Sequence, residues 1–123
     1  MLPRQHRLTS RREIKAVFAG GKTYVNKLLV LKLLRAAEEQ PGRIAFSTSA
    51  ALGNAVMRNR ARRLLREAVR LLIDKIEQHG YSAVLIARPP IKEAVLAEVS
   101  RAVEELLQKA GLLAPSQQLE RAT

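Results

Sequence analysis

The chain has no cysteine and no tryptophan, and its few aromatic side chains include Phe18 and Phe46, which we expect to pack in the core. Without cysteine it can form no disulfide, no thiolate nucleophile and no cysteine-ligated zinc site, and a reducing compartment is expected. It also lacks an apolar run near the roughly 20 residues of a membrane helix, and its N-terminus has no apolar signal core. We therefore expect a cytoplasmic protein with no membrane partner.

Groups that perform catalysis are scarce as well. The only aspartate, Asp74, lies on a predicted helix beside Lys75 and Glu77. The two histidines, His6 and His79, have no partner at the spacing of a catalytic triad or a metal site, and we expect each to be an ordinary exposed or hydrogen-bonded side chain. No phosphate-binding glycine motif is present. The sequence therefore predicts no catalytic residue, no metal ligand and no cofactor bound by the protein.

Positive charge is abundant and unevenly distributed. Lysine and arginine total 22 against 11 acidic residues, which gives a formal net charge of +11 and a pI of about 11.1. Residues 1–35 contain nine basic side chains and one acidic side chain, and residues 54–70 contain six arginines and one glutamate. Because the remaining segments are nearly neutral, this segregation is typical of a surface that neutralises phosphates. A polyanion is the expected partner.

Apolar residues recur with helical spacing in three segments of the chain. The first helix is predicted over residues 10–19, where Thr9 or Ser10 together with Glu13 has the spacing of a reciprocal N-terminal cap. The last helix is predicted over about residues 93–110, with a glycine directly after it. Its expected apolar face consists of Val95, Val99, Val103, Leu106 and Leu107.

The longest helical pattern follows Gly53 and Asn54 and runs to about Gln78, before Gly80. Its expected core-facing stripe consists of Met57, Ala61, Leu64, Leu65, Ala68 and Leu72. An adjoining, solvent-facing sector contains Arg58, Arg62, Arg63, Arg66 and Arg70, with Arg60 off to its far side. A single helix is thus predicted to bury aliphatic side chains and to present arginines.

Short apolar segments between the helices predict strands. Residues 22–34 and 43–49, separated by a polar turn, predict an antiparallel strand pair, and Tyr81 to Ala87 predicts a buried strand. The element order indicates an α+β sandwich, in which three helices cover a small mixed sheet of about four strands. We expect a single RNA-binding domain over residues 1–113 and a disordered C-terminal tail over residues 114–123.

The segment from Gly53 to Ala68, which reads GNAVMRNRARRLLREA, closely resembles the RNR signature of the protein subunit of bacterial ribonuclease P. This signature is long and specific. The similarity extends to other parts of the chain, namely Arg7 to Lys22, Leu28 to Leu31, Ala87 to Pro90 and Leu106 to Leu113. It therefore covers nearly all of residues 2–113.

The resemblance implies an α/β sandwich like that of some ribosomal proteins, with an uncommon left-handed βαβ crossover. It implies a non-catalytic subunit of an endoribonuclease that assembles with one catalytic RNA. In this family the magnesium ions bound by the RNA hydrolyse a phosphodiester of precursor tRNA and leave a mature 5′-phosphate end. The implied partners of the protein are this RNA and the single-stranded 5′ leader of precursor tRNA.

The resemblance also implies which residues contact each RNA. The expected contacts to the catalytic RNA are Asn54, Arg58, Asn59, Arg60, Arg62, Arg63, Arg66 and Arg70. The expected contacts to the leader are Arg11, Arg12, Ile14, Phe18 and Lys32. Because Arg58 and Arg60 are both expected at the surface, reversing them to glutamate is expected to prevent assembly and leave the fold intact.

The chain departs from the family pattern at several of these positions. Ile14 and Lys32 stand where family members commonly carry phenylalanine and tyrosine, and Ala50 and Ala51 replace the usual paired lysines. Fewer bases can therefore stack, and we expect phosphate attraction by the basic leader-binding residues to replace part of the stacking. Affinity for the leader should then fall steeply with salt and depend little on leader sequence.

Other classes of protein share some of these features. A structural RNA-binding protein, such as a ribosomal component, would have the same size and charge, and only the extended signature separates the two interpretations. A metal-dependent nuclease acting without RNA would need clustered carboxylates, which this sequence does not contain. A DNA-binding helix-turn-helix is disfavoured because one long helix follows Gly53 with no short helix before it at the required spacing.

Overall fold

The computed structural model describes residues 2–113, in the order helix, three strands, helix, strand, helix. The helices are α1 (Arg11–Gly20), α2 (Ala55–Leu72) and α3 (Leu96–Lys109). The strands are β1 (Lys22–Val25), β2 (Leu29–Arg35), β3 (Arg43–Thr48) and β4 (Tyr81–Ala87). The predicted tail, residues 114–123, lies outside the described residues. Between residues 2 and 113, none of the helices has the length and apolar character needed to cross a membrane.

A four-stranded sheet in the order β1-β2-β4-β3 forms the centre of the fold. β2 pairs antiparallel with both β1 and β4, whereas β3 pairs parallel with β4. Parallel neighbours need a crossover connection, and α2 provides it between β3 and β4. The predicted sandwich of three helices on a mixed sheet of four strands is confirmed, and the left-handed sense of the crossover stays a prediction.

The predicted antiparallel pairing of residues 22–34 with residues 43–49 is wrong, because β4 lies between β2 and β3. β4 takes this central position because it is apolar on both faces: Ala83 and Leu85 are buried on one side and Val84 on the other. Side chains buried on both faces require a strand that is covered by elements on both sides of the sheet.

The antiparallel hairpin lies instead within the first of these two segments, between β1 and β2. Asn26 forms the turn, since its Oδ1 accepts the backbone N–H groups of Leu28 and Leu29 at 3.1 and 2.9 Å. Short polar side chains that bond to the backbone in this way favour turns over continued strands. The sequence pattern of alternating apolar residues did not reveal this break.

The two faces of the sheet pack against different helices. Leu29, Leu31 and Leu33 of β2 are buried in the main core with residues of α2 and α3. Leu34 and Lys32 lie on the opposite face, because successive side chains of a strand alternate, and Leu34 packs there against the small cluster around Val17 of α1. α1 is thus the only helix of residues 2–113 on its face of the sheet, and it leaves part of that face uncovered.

α2 ends at Leu72, about six residues before the predicted end at Gln78. A 3-10 turn follows at Ile73–Lys75, and the chain then becomes extended so that Ile76 is buried and bridges Leu113. The Gln78 side-chain amide donates to the carbonyls of Ile73 and Ile76, which replaces helical hydrogen bonds in this segment. Burial of Ile76 against Leu113 therefore determines where α2 stops.

α3 begins at Leu96, three residues later than predicted, because a 3-10 helix occupies Pro89–Glu93. The Glu98 carboxylate accepts the Val95 backbone N–H at 3.1 Å and caps the first turn. Val95 itself is 58% exposed, so its predicted place on the apolar face is wrong. The C-terminal end agrees with the prediction, since Gly111 follows with a φ of +78°, the left-handed conformation that glycine adopts readily.

Candidate nucleic-acid interface

α2 presents its arginines because its opposite side is fixed in the core. The Asn54 side chain caps the helix by accepting the Met57 N–H at 3.1 Å. The buried residues of the helix are Ala61, Leu65, Ala68 and Val69. Complete burial of a leucine or valine side chain contributes about 1.5–3 kcal/mol. The sequence pattern missed Val69, and three residues of the predicted stripe, Met57, Leu64 and Leu72, are only half-buried.

The polar side of α2 carries six arginines and a single acidic residue, Glu67, and we call it the arginine face. Its exposed members are Arg60, Arg63, Arg66 and Arg70, and its half-buried members are Arg58 and Arg62. Arg63 and Arg66 make no hydrogen bond or ion pair with any residue between 2 and 113. Guanidinium groups match phosphate oxygens in a bidentate geometry and stay protonated at all physiological pH values.

Several other predicted contact residues are engaged at the N-terminal end of α2. Arg58 donates to the Gly53 carbonyl at 2.9 Å, and Arg62 donates to Asn59 Oδ1 at 2.8 Å. The Asn54 side chain is occupied by capping. These contacts fix the orientation of the side chains at the N-terminal half of the arginine face, so that part of the surface is organised in the protein alone.

Arg60, at the border of the arginine face, differs from its neighbours because it holds α2 against the start of α3. Its guanidinium donates to the Ala94 carbonyl at 2.9 Å and reaches the Lys92 carbonyl at 3.5 Å. Ala94 is the residue that ends the 3-10 helix before α3. The position of Arg60 off the arginine sector was visible in the sequence, but its structural partner on a segment 34 residues away was not.

Arg70 is partly neutralised by Glu67, one turn earlier on the same helix. The Arg70 guanidinium donates to both oxygens of the Glu67 carboxylate, at 3.0 Å and 2.5 Å. This hydrogen bonding lowers the pKa of Glu67 and raises the pKa of Arg70. Both groups are exposed, so the pair contributes little to stability. It does hold Arg70 in place at the C-terminal end of the arginine face.

The predicted leader-binding residues lie on the opposite part of the molecule, where α1 crosses the sheet. Phe18 is 45% exposed, so the expectation that it packs in the core is wrong, whereas Phe46 is half-buried against the core. The Nζ atom of Lys32 lies 6.0 Å from the centroid of the Phe18 ring. At that distance the ammonium group is attracted to the face of the ring.

Residues along α1 extend this site toward the N-terminus of the helix. Arg11 and Phe18 are seven residues apart, nearly two full turns, so they share one side of the helix with the half-buried Ile14. Arg12 is exposed but is turned about 100° away from Arg11. The structure therefore groups Arg11, Ile14, Phe18 and Lys32, which we call the α1 surface, and leaves Arg12 beside it.

The start of α1 is held to the sheet by a contact that the predicted capping box does not contain. The Ser10 hydroxyl accepts the Glu13 N–H at 3.4 Å, as predicted. The Glu13 carboxylate, however, accepts from Arg43 at 3.1 and 3.2 Å and does not return to the Ser10 backbone. The ion pair with a residue of β3 is therefore favoured over the reciprocal cap, and it orients α1 on the sheet.

Sequence reasoning missed a strip of the sheet next to the α1 surface that is apolar except for Ser47 at one end. Val30 pairs with Ile86, which in turn pairs with Ser47, and all three are half-buried on the face that carries Lys32. At the edge, Val25 pairs with Val30 and is 49% exposed. Only the strand register reveals this row, because its members come from four different strands.

The histidines and carboxylates form no further site in the described part of the chain. His6 is buried and its Nδ1 bonds to the Gly42 carbonyl at 2.6 Å, while His79 is exposed. Among residues 2–113, no group of three or more His, Cys, Asp or Glu side chains could hold a metal ion. The arginine face and the α1 surface are thus the two candidate sites in the described part of the chain, and the basic side chains of both are suited to polyanions.

Comparison with known proteins places the sequence among those of a single family. The family model described as Ribonuclease P matches residues 2–111. The ribonuclease P protein component of Symbiobacterium thermophilum is 41% identical over 112 residues, which cover 91% of this chain and 96% of that protein. The corresponding protein of Bacillus cereus is 35% identical over 111 residues, which cover 90% of this chain and 96% of the relative.

Solved structures agree with the fold. The RNase P protein of Staphylococcus aureus superposes with a TM-score of 0.76 at 24% identity and covers 88% of this chain and 97% of its own. The RNase P protein of Thermotoga maritima superposes with a TM-score of 0.73 at 25% identity, with coverage of 84% and 96%. The α+β sandwich described above is the fold of both proteins.

The basic α+β sandwich, its arginine-rich α2 and the match over residues 2–111 define a small basic protein that has an RNA partner. The chain belongs to the ribonuclease P protein family. At the level of the family it is a subunit of an endoribonuclease, it acts in tRNA processing, and it has an RNA partner.

Proposed function

We propose that the arginine face of α2 binds the catalytic RNA of ribonuclease P and that the α1 surface binds the 5′ leader of precursor tRNA. The observation that carries the proposal is the arginine face itself, where six arginines share one helix with a single glutamate. Arginine forks bind the phosphates of a folded backbone, and each neutralised phosphate releases counterions. The same segment contains the RNR signature, Arg58-Asn59-Arg60.

In this proposal the protein positions RNA and performs no chemical step. The side chains of the arginine face and the basic side chains of the α1 surface are arginines and a lysine, which attract phosphate but do not accept a proton at neutral pH. Magnesium ions held by the RNA would promote the attack of water on the phosphodiester, which leaves a 5′-phosphate on the mature end. The described residues offer no cluster of ligands for such an ion.

The α1 surface fits a single strand better than a duplex. Phe18 offers one aromatic face for stacking, Lys32 places a cation beside it, and Arg11 lies two turns away on the same side of α1. The unpaired bases can pack against the half-buried apolar side chains of Val30 and Ile86. Contacts to the leader favour precursor over mature tRNA, because only the precursor has a leader.

The location of this activity follows from its substrate. In bacteria, precursor tRNA is transcribed in the cytoplasm, so the proposal places the chain there. The absence of cysteine is compatible with that compartment.

The binding of the catalytic RNA can be tested by charge reversal at the two arginines without an internal partner. The variant Arg63→Glu/Arg66→Glu is expected to lose at least about 100-fold in affinity for the catalytic RNA, since each charge-assisted contact is worth about 1.5–3 kcal/mol. The matched control is Arg101→Glu/Lys75→Glu, which changes the net charge by the same amount at two exposed positions outside both surfaces. Equal losses in the two variants would mean that net charge alone drives binding, which contradicts a specific arginine face.

A further inference from the structure

A small apolar pocket lies at the outer edge of β3, where the N-terminal segment crosses the strand next to α2. Its volume is about 250 Å³. Apolar side chains of the N-terminal segment and of β3 form its walls, namely Leu2, Leu8, Ile44 and Phe46. Its rim carries the guanidinium groups of Arg7 and Arg66, and no acidic residue lines it.

Hydrogen bonds hold the walls of this pocket in place. The Leu8 backbone N–H donates to the Ile44 carbonyl at 3.0 Å, which attaches the N-terminal segment to the edge of β3. The Arg7 Nε donates to the Leu2 carbonyl at 2.9 Å, which fixes the plane of this guanidinium at the rim. Leu2, Leu8 and Ile44 are almost completely buried. The pocket is therefore formed before any ligand arrives.

We propose that this pocket receives the base of one unpaired nucleotide of the catalytic RNA, an inference that rests on the proposed function. Proteins read unpaired RNA by moving bases out of the stack and placing them against aromatic rings or guanidinium planes. Phe46 supplies the ring, Arg7 supplies the fixed plane, and Arg66 lies where it can bond to the phosphate of the same nucleotide. The volume is below the roughly 300–1,000 Å³ of sites for drug-sized ligands, which suits one base.

The charges around the pocket favour RNA over an apolar segment of a protein. Arg7 belongs to the basic N-terminal region and Arg66 belongs to the arginine face, so the pocket lies where the two most basic parts of the chain meet. Arg66 has no partner within the described residues. A protein side chain would fill the apolar walls but would leave two adjacent cations without counter-charges, which is unfavourable.

The pocket can be tested on the full-length chain with two small probes that share a 5′-phosphate. Adenosine 5′-monophosphate has a base and ribose 5-phosphate has none. In NMR titrations of the isotope-labelled protein, adenosine 5′-monophosphate is expected to shift the backbone amide signals of Leu8, Ile44 and Phe46, and ribose 5-phosphate is expected to leave them in place. Identical shifts with both probes, or shifts confined to arginines, would overturn the proposal.

A variant that blocks the mouth of the pocket tests whether the pocket contributes to binding of the catalytic RNA. Thr9 is exposed and lines the pocket, so Thr9→Trp places an indole there without changing a charge or a buried residue. We expect its dissociation constant for the catalytic RNA to rise about tenfold, the effect of losing one stacked base. Thr23→Trp, at an exposed position of β1, is the matched control and should bind as the wild type does.

The outcomes separate this inference from the proposed function. If Thr9→Trp binds the catalytic RNA as tightly as the wild-type chain, the base pocket is wrong and the arginine face stands. If the wild-type chain itself does not bind the catalytic RNA, both proposals fail. Because the titration uses the wild-type protein, it decides the question even if Thr9→Trp fails to fold.

Discussion

Lys32 of β2 extends its ammonium group to within 6.0 Å of the centre of the Phe18 ring at the end of α1. Phe18 lies at the exposed end of its helix, and Lys32 lies on the only sheet face that α1 covers within residues 2–113. The contact therefore places phosphate attraction and base stacking at one point of the α1 surface. Under the proposed function, this pair determines how binding of precursor tRNA responds to changes in the leader.

Removal of the Phe18 ring should weaken binding of the leader without unfolding the protein. In Phe18→Ala we expect the affinity for precursor tRNA to fall by about 1–3 kcal/mol, the value of one base stacked on an aromatic ring. Affinity for mature tRNA should not change, because it has no leader. The measurement is a pair of binding isotherms for the two RNAs, with thermal unfolding of the variant as the control.

The same isotherms at several salt concentrations separate the two contributions at this surface. Because the α1 surface offers a single aromatic ring and several cations to the proposed leader, we expect affinity for precursor tRNA to fall steeply with salt and to vary little with leader sequence. An affinity that is flat in salt but strongly dependent on sequence would contradict this account of the α1 surface.

Charge reversal at the two arginines of the RNR signature should have different effects on stability. Arg60→Glu removes the hydrogen bonds to the Ala94 and Lys92 carbonyls and should lower the free energy of unfolding by about 1–2 kcal/mol. Arg58→Glu loses only a contact to Gly53 within its own helix end and should unfold nearly as the wild type does. Chemical denaturation of both variants measures the difference.

This prediction replaces the sequence-based expectation that both reversals leave the fold intact. Equal unfolding free energies for Arg58→Glu and Arg60→Glu would show that the contact from α2 to the start of α3 does not stabilise the protein. Arg60→Lys is the matched control. It keeps the positive charge but cannot reproduce the guanidinium geometry, so it separates the effect of the hydrogen bonds on stability from the effect of the charge.

Neutralisation of Glu67 should strengthen RNA binding. Its carboxylate holds Arg70 through two hydrogen bonds, so Glu67→Gln releases a guanidinium and removes the single negative charge of the arginine face. We expect the dissociation constant for the catalytic RNA to fall severalfold at low salt and the gain to shrink at high salt. A weaker complex would mean that the ion pair positions Arg70 for its RNA contact.

The stability of the protein should decrease in alkaline solution because of Tyr81. Burial raises the pKa of Tyr81 from 10.0 to about 12. The phenol is an acid that folding keeps neutral, so its contribution is complete below pH 10 and is lost as the pH rises toward 12. The loss amounts to about 2–3 kcal/mol at most, from the difference of two pKa units.

The control for this effect is Tyr81→Phe, which keeps the buried ring and removes the titrating group. The difference in unfolding free energy between the wild type and Tyr81→Phe should change between pH 10 and pH 12 and be constant below that range. A constant difference at all pH values would contradict the raised pKa.

The elements that the sequence predicted well are those whose limits depend on neighbouring residues. β4 begins at Tyr81 and ends at Ala87, as predicted, because proline follows directly after Arg88. The start of α2 after Asn54 and the end of α3 before Gly111 were also predicted, because caps act within a few residues. The arginines of α2 could be assigned to one side from helical periodicity alone.

The features that the sequence did not reveal depend on contacts between distant segments. The early end of α2 depends on the burial of Ile76 against Leu113. The hydrogen bond by which Arg60 holds α2 to the start of α3 depends on the carbonyl of Ala94. The position of β4 between β2 and β3 depends on the whole sheet. The exposure of Phe18 contradicts the expectation from its residue type but fits its implied place at the leader, and it follows from the way α1 covers only part of the sheet.

The most direct test of the account is cleavage of a precursor tRNA with a 5′ leader at low magnesium concentration. Three reactions are compared, with the protein alone, with the catalytic RNA alone and with both together. We expect efficient cleavage only when both are present, with a 5′-phosphate on the mature end. Cleavage by the protein alone would contradict it, and so would an active catalytic RNA that the protein does not stimulate.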